Sequence, residues 1–445
     1  MTPREALDRA LLEIRRAGFE GEVFVEDGRS TKVAVSGGRV ESLEERRDRG
    51  AGVRVYRDGR LGFSFTGELS GAGIAAAVGR AVEIAALVEP DPANRPIEDA
   101  GSPVDGLVMT DPALADVPTA RKIALSRAAE QSAHAADRRV SGVREAAWQD
   151  SISVGWIANT RGLMRESAQS RAVLAIELAA TENGQSQVGW DGDWRTGEKG
   201  LDPAAIGSEA ARKACIKLGA EPPASGRTTV VLSPEVTASL FGELSSLFFM
   251  DAVIRGRTIL AGKDNQQIGS GAITLVDDGR HPAGYATAPV DGEGVATRET
   301  VLVERGVLRG FLQDGWSAAK SGRPLTGNAQ RGGYAMRPSI GRSNLYLKPT
   351  GGSAADLLAR AGDGVFIMEV MGLHTVNAVT GDFSIGATGV AIESGRLARP
   401  LDRMAIAGNV LDLLGAVEAV ADDLRFLLFG GGATVLLRDL AVSGR

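Results

Sequence analysis

The sequence predicts an α+β protein built from three successive units: an N-terminal α+β unit, a middle α+β unit, and a glycine-rich C-terminal unit of mixed, barrel-like sheet. Three observations carry this reading. Each of the first two stretches runs helix, strands, helix, with the hydrophobic period switching between 3.6 and 2. Proline-rich breaks near residues 89–117 and 220–227 separate the stretches, bounding units at 1–88, 112–219 and 227–445. Much of the chain's 58 glycines falls in the last stretch, as suits curved, bulged sheet in which backbone approaches backbone.

Taken in order, Thr2 is a helix N-cap with Pro3 at the first helical position, and Ala6, Leu7, Ala10, Leu11 and Ile14 form one apolar face ending near Gly18. Short alternating runs follow at Glu22–Glu26, Thr31–Ser36, Gly52–Arg57 and Arg60–Thr66. Asp58-Gly59 joins the last two as a hairpin turn, which needs positive φ at both central positions. A helix from Ser70 to Leu87 closes this unit, and Pro90, Pro92, Pro96 and Pro103 mark a linker. The middle unit reads as a helix over Pro118–Ala136, strands at Arg139–Trp148, Ser151–Asn159 and Arg165–Leu178, a turn at Thr160-Arg161-Gly162, and a helix over Pro203–Leu218. In the third unit Thr228–Leu232 is a buried strand and Pro234–Met250 a helix. Short glycine-separated strands follow, with a late helix over Ala407–Val420. No repeat of 20–50 residues is present, which argues against a solenoid or propeller.

Composition narrows the function classes. The chain has 445 residues with 50 Lys+Arg against 56 Asp+Glu, a net charge of −6, and its basic residues are scattered. Nucleic-acid binding needs clustered positive charge, so it is disfavoured. The one cysteine, Cys215, sits among Ala and Ile as a small buried hydrophobe and excludes a thiolate-cluster metal site. The N-terminus does not read as a signal peptide. The longest apolar stretch, Leu424 to Leu437, is interrupted by Arg425 and Gly430-Gly431-Gly432 and is too short to span a bilayer. A soluble cytoplasmic protein is expected.

The three histidines, His134, His281 and His374, are too far apart in sequence for one helix to present two imidazoles on a face. His134 reads as a surface residue and His281 as a loop residue, while His374 stands inside a glycine- and acid-rich block; a single imidazole is more often structural than a ligand. Gly256 to Asp264 approaches a phosphate loop, but the spacing is one residue too long and Asp264 stands where a Mg²⁺-binding hydroxyl belongs. No Gly-x-Ser-x-Gly elbow is present. Asp277, Asp278, Asp291 and Glu293 offer oxygens for a hard cation, though their interleaving with glycine favours tight turns.

Two blocks stand out. One runs from Leu275 through Asp277-Asp278-Gly279 to His281, on through Val290-Asp291-Gly292-Glu293-Gly294, and through Thr300 to Leu312. The other runs from Glu369 through Gly372-Leu373-His374 and Asn377 to Thr380-Gly381-Asp382 and Gly386. With Gly50-Ala51-Gly52-Val53-Arg54-Val55, Gly59-Arg60-Leu61-Gly62, Ile157 to Gly162 and Thr326-Gly327-Asn328-Ala329, they resemble the TldD/PmbA family over nearly the whole chain. The resemblance implies a peptidase assembled from two kinds of subunit, a TldD-type that carries zinc in a His-Glu-x-x-x-His motif and a PmbA (TldE)-type that lacks it, together cutting unfolded peptides in an enclosed cavity. Laid on this chain without gaps, the motif falls on Gly242, Glu243 and Leu247, and Phe429-Gly430-Gly431-Gly432-Ala433 lacks the family's C-terminal cysteine ligand.

The resemblance therefore implies a PmbA-type subunit in a heterodimer, with no catalytic residue and no cofactor of its own, and with the zinc in a TldD-like partner. It implies that the Gly372–Gly386 block, with His374, Asn377, Thr380 and Asp382, lines a shared cavity and contacts an unfolded peptide. Leu240, Phe241, Leu244, Leu247, Phe248 and Phe249 serve either that interface or this chain's own core. Two alternatives stay open: a self-sufficient metallopeptidase using His374 with carboxylates, and a regulatory binding module in line with the family's older label of gyrase modulator.

Overall fold

The structure, a computed structural model, describes residues 1–444. Helix α1 (Pro3–Arg16) opens with a reciprocal cap: the Thr2 hydroxyl accepts from the Glu5 N–H at 3.2 Å, and the Glu5 carboxylate accepts from the Thr2 N–H at 2.8 Å. Its buried stripe is Ala6, Leu7, Ala10, Leu11 and Ile14, as the period predicts. Strands β1 (Glu20–Ser36), β2 (Arg39–Arg57) and β3 (Arg60–Thr66) follow, with Asp58 at φ 51° and Gly59 at φ 75° in the last turn. Helix α2 (Gly71–Leu87) is capped by the Ser70 hydroxyl, which accepts from the Gly73 N–H.

The separate runs expected at 22–26 and 31–36 are one 17-residue strand. Asp27 to Ser30 stay extended because β1 is paired along both edges, to β2 on one side and to β4 (Val140–Asn159) on the other. That second pairing joins the first two units into one sheet of order β3-β2-β1-β4-β5-β6, with β5 at Met164–Glu182 and β6 at Gln185–Arg195. Sequence periodicity missed β6, although Asn183 (φ 50°) and Gly184 (φ 78°) form the two-residue turn that signals a hairpin. Helices α3 (Thr119–Ala136) and α4 (Pro203–Cys215) complete the middle unit.

All four helices cover one face of this sheet. The N-terminal core gathers Leu7, Ile14, Val23, Val53 and Ile74; the middle core gathers Leu125, Trp148, Leu174, Ile176 and Ile206. The opposite face is turned toward the C-terminal unit. Between Leu87 and Pro112 the chain has no helix or strand, yet Ile97 and Ala100 are buried with Val295 of the C-terminal unit.

The C-terminal unit starts with β7 (Gly226–Leu232) and α5 (Pro234–Leu244). The helix expected through Met250 is instead broken: a 3₁₀ turn at Ser245–Phe248 precedes the short α6 (Met250–Ile254). The Ser245 hydroxyl donates to the Gly242 carbonyl at 2.6 Å and that of Ser246 to the Glu243 carbonyl at 3.3 Å, drawing off carbonyls that an α-helix would use. Leu240, Phe241, Leu244, Leu247 and Phe248 are all buried in this chain's own core, with Phe249 packed against it.

Strands β8 (Leu275–Asp278), β9 (Glu299–Glu304) and β10 (Val307–Leu308) form a small sheet with Leu345–Leu347. Short helices α7 (Gly315–Ser321) and α8 (Ala354–Ala361) intervene. The helix expected over Ala407–Val420 shrinks to α9 (Val410–Ala416). The residues before it belong to the strand Arg396–Asn409, which pairs with Asp382–Glu393 on one side and Val435–Ser443 on the other. That second pairing closes a five-stranded barrel through Gly364–Met371 and β7, whose mutual pairing is parallel.

A buried ionic cluster ties the barrel unit to the sheet. The Arg54 guanidinium of β2 contacts Glu22 of β1 at 2.7 Å and Glu293 of the C-terminal unit at 2.9 Å, and Arg331 also pairs with Glu22. Glu293 further accepts from the Gly315 N–H at the start of α7, at 2.7 Å. Such a cluster fixes register between units, because removing one member strands a buried charge. Among the described residues no helix is long and apolar enough to cross a membrane.

Candidate functional site

The positions matching the metal motif lie at the C-terminal end of α5. Glu243 is exposed, whereas Leu247 is 1% exposed inside the barrel-side core. Leu247 lies in the 3₁₀ turn that follows α5. A Cβ built on Gly242 would lie 3.3 Å from the Arg342 guanidinium (Nη2) and 3.3 Å from the Phe429 carbonyl oxygen. A Cβ built on Gly430 would lie 3.4 Å from Arg342 Nη1. The fold thus brings together α5, the 429–430 turn and a cation. Burial depresses the Arg342 pKa, and the nearby carboxylates of Asp277 and Glu243 offset part of that effect.

These residues do not fit zinc. Gly242 and Gly430 have no side chain to donate, Leu247 is apolar and buried, and the adjoining group is a permanently charged guanidinium that repels a dication. Among the described residues no three His, Cys, Asp or Glu side chains are placed to share a metal ion. A guanidinium can bind a carboxylate or stabilise negative charge, but it cannot generate hydroxide at neutral pH as a metal does. Sequence reading missed Arg342, which stands in an irregular stretch with no motif around it.

The second block forms a turn beside α5. Gly372 (φ 77°) leads into a single 3₁₀ turn, Leu373–Thr375, and the loop is held by its own polar groups. The Asn377 side-chain oxygen accepts from the N–H groups of Val379 at 3.0 Å and Thr380 at 3.2 Å; Asn409 donates to the Asp382 carboxylate at 3.1 Å and to the Thr380 carbonyl at 2.8 Å. The Asn409 amide and the Thr380 hydroxyl hold the Asp382 carboxyl below its usual range. His374, Asn377, Thr380 and Asp382 are all exposed, and Met371 (58%) and Val379 (55%) present apolar surface beside them. The Ile259 N–H donates to the Ala378 carbonyl at 2.8 Å, pinning the loop to the segment that follows α6.

The remaining candidates resolve into structural roles. His134 is exposed in the last turn of α3, and His281 stacks on Phe426 with ring centroids 4.2 Å apart. The four acids of the first block serve turns and contacts between units. Asp277 accepts from Asn328 at 2.7 Å and from the Ser343 N–H at 2.8 Å, and Asp278 accepts from the Arg280 N–H at 2.9 Å. Asp291 accepts from the N–H groups of Glu293, Val295 and Ala329 at 2.8, 3.0 and 2.9 Å. Burial, with the Glu293 carboxylate adding to it, pushes Asp291 up to about 7 despite those three donors.

Three family models cover most of the chain: PmbA/TldA metallopeptidase domain 1 over residues 21–85, the central domain over 112–218 and the C-terminal domain over 225–444. A metalloprotease from Methanothermobacter thermautotrophicus is 30% identical over 94% of this chain and 91% of that protein. The chain belongs to the PmbA/TldD family of metallopeptidase-related proteins. Metalloprotease PmbA of Escherichia coli O157:H7 is 28% identical, covering 99% of this chain and 97% of its own. Among solved structures, a candidate DNA gyrase modulator from Thermotoga maritima superposes with a TM-score of 0.91 at 26% identity, covering 99% of this chain and 100% of that one. TldE from Thermococcus kodakarensis superposes with a TM-score of 0.90 over 99% of this chain and all of its own; at 22% identity it speaks for the fold alone. The α+β, barrel-containing architecture is therefore the family's fold.

Proposed function

We propose that this chain is the non-catalytic, PmbA (TldE)-type subunit of a heteromeric peptidase whose zinc is held by a TldD-like homologue and whose substrates are unfolded peptides or peptide precursors. The observation that carries the reading is the Arg342 guanidinium set against Gly242, where the resemblance puts the motif's first histidine, and against Gly430 in the Phe429–Ala433 stretch that lacks the family's cysteine. With a fixed cation there and Leu247 committed to the core, Glu243 has no metal-bound water to act on. The loop that follows Gly372 lies beside the same helix, and its exposed residues, His374, Asn377, Val379 and Thr380, offer both polar groups and apolar surface to a partner or a peptide.

The experiment is a pair of substitutions in the assembled complex. Glu243→Gln in this chain leaves peptide cleavage within about twofold of the parent, whereas removing the partner's motif glutamate reduces it by the roughly 10²-fold or more expected for a general base. Loss of cleavage on Glu243→Gln, with the complex still assembled, would contradict the reading. A second reading, a module that modulates another protein, draws on the gyrase-modulator description of a structural neighbour. It predicts no cleavage by any mixture with a zinc-bearing homologue.

A further inference from the structure

Part of the uncovered face of the six-stranded sheet is roofed by the C-terminal unit. Between it and the loops of the C-terminal unit lies a cavity of about 490 Å³, within the roughly 300–1,000 Å³ typical of ligand sites. Its floor is built by cross-strand pairs of β4 and β5: Ser151 opposite Arg171, Ser153 opposite Gln169, Gly155 opposite Ser167, and Ile157 opposite Arg165. Alternation along β5 puts these side chains on the face opposite the helices, because every second residue points the same way. From residue 165 to residue 171 the floor extends about 20 Å at ~3.3 Å per residue. The cavity is therefore a groove whose length suits an extended chain.

Its polar groups are incompletely used. The Arg171 guanidinium lies over the Tyr285 ring at 4.9 Å and the Trp194 ring at 6.0 Å. Among the described residues no carboxylate balances it; burial lowers its pKa and only Tyr285 acts in the other direction. Arg165 Nε and Ser167 Oγ are buried in the same groove without a hydrogen-bond partner. A desolvated cation clamped by two aromatic faces, at one end of a groove that holds unpartnered polar atoms, is arranged to receive something. Arg331, by contrast, is already paired with Glu22.

We propose that this groove binds the free carboxyl end of an extended peptide, with the carboxylate on Arg171 and the preceding peptide groups running along Ser153, Gln169 and Ser167 toward Arg165. A guanidinium matches a carboxylate with two parallel N–H donors, and its rings hold it preorganised for that contact. The neutral hydroxyl and amide side chains of the floor both donate and accept, as a peptide backbone requires whatever its sequence. The site lies on the face opposite α1–α4 and uses none of the motif positions Gly242, Glu243 or Leu247. It does not depend on which subunit holds zinc.

The test is calorimetric titration of the purified full-length chain with three probes: an N-acetylated alanine–serine hexapeptide with a free C-terminus, the same peptide as its C-terminal amide, and propionate. The free acid is expected to bind at least about tenfold more tightly than either of the others, as charge-assisted hydrogen bonds outweigh neutral ones. Arg171→Met should bring the acid down to the amide's affinity, while Ser153→Trp, which fills the groove with Arg171 intact, should abolish binding of both peptides. Equal binding of acid and amide, propionate binding as tightly as the hexapeptide, no binding up to millimolar peptide, or full binding by Ser153→Trp would each overturn the proposal.

Discussion

At the scale of single residues, what a position does here is set by what its side chain can reach. Leu247 stands where the resemblance puts a histidine, yet it is 1% exposed among Leu244, Phe248 and the barrel residues. Leu247→His buries an imidazole with no partner and removes apolar contacts, so we expect a loss of about 2–4 kcal/mol in urea unfolding and no metal site gained. Asp291 offers a pH test. Its folded pKa of about 7 lies above the ordinary ~3.9 of an unfolded aspartate, so the folded state holds this proton more tightly. The resulting stability is present at acid pH and lost as pH rises between about 4 and 7. Asp291→Asn should flatten that part of the stability–pH curve relative to the parent, measured by denaturant midpoints. The residue roles legible in the sequence were local ones: the Thr2 cap, the Asp58-Gly59 turn, and the turn-forming habit of Asp278 and Asp291. Arg342 and Arg171 were not legible, since each becomes informative through neighbours distant in the sequence, Gly430 for one and Tyr285 for the other.

At the scale of elements, helices with caps and a regular apolar stripe were readable, as α1, α2 and α4 are, whereas α3 has no side-chain cap and buries Lys122, Ser126 and Glu130 beside its apolar residues. The strands were readable only in pieces. The polar middle of β1 stays extended through pairing to β2 and to the distant β4, a non-local cause that periodicity does not register, whereas β6 is held locally as the second arm of a hairpin with β5. The same non-local cause overrides the start of the helix expected over 407–420, where Ala407 pairs with Ala441 in the contact that closes the barrel. The polar alternation of β4 and β5 lines the floor of the groove under the C-terminal unit. Packing of α2 on the sheet is tight enough to test directly. A Cβ on Gly62 of β3 would fall 1.8 Å from the Ala81 carbonyl oxygen of α2. Gly62→Ala must therefore lift the helix, and we expect about 1–3 kcal/mol of destabilisation with a lower melting temperature. An unchanged melting temperature would show that α2 rides loosely on the sheet.

At the scale of the whole molecule, the first two units share one sheet, and the third is fastened to them. Beside the Arg54–Glu22–Glu293 cluster, Lys213 of α4 bridges Asp191 at 2.8 Å and Glu235 at 3.0 Å, and Lys217 reaches Glu369 at 2.5 Å. The proline-rich stretch before Pro112 takes part in this fastening through Ile97 and through Asp91, which accepts from Trp316 and Lys320. Units fastened in this way, with the loop after Gly372 beside α5, are what the proposed role of a partner subunit requires. The most direct measurement is peptide cleavage by three samples at equal concentration: this chain alone, its zinc-bearing homologue alone, and the two mixed. The account predicts cleavage only in the mixture. Full cleavage by the homologue alone, or by this chain alone, would contradict it.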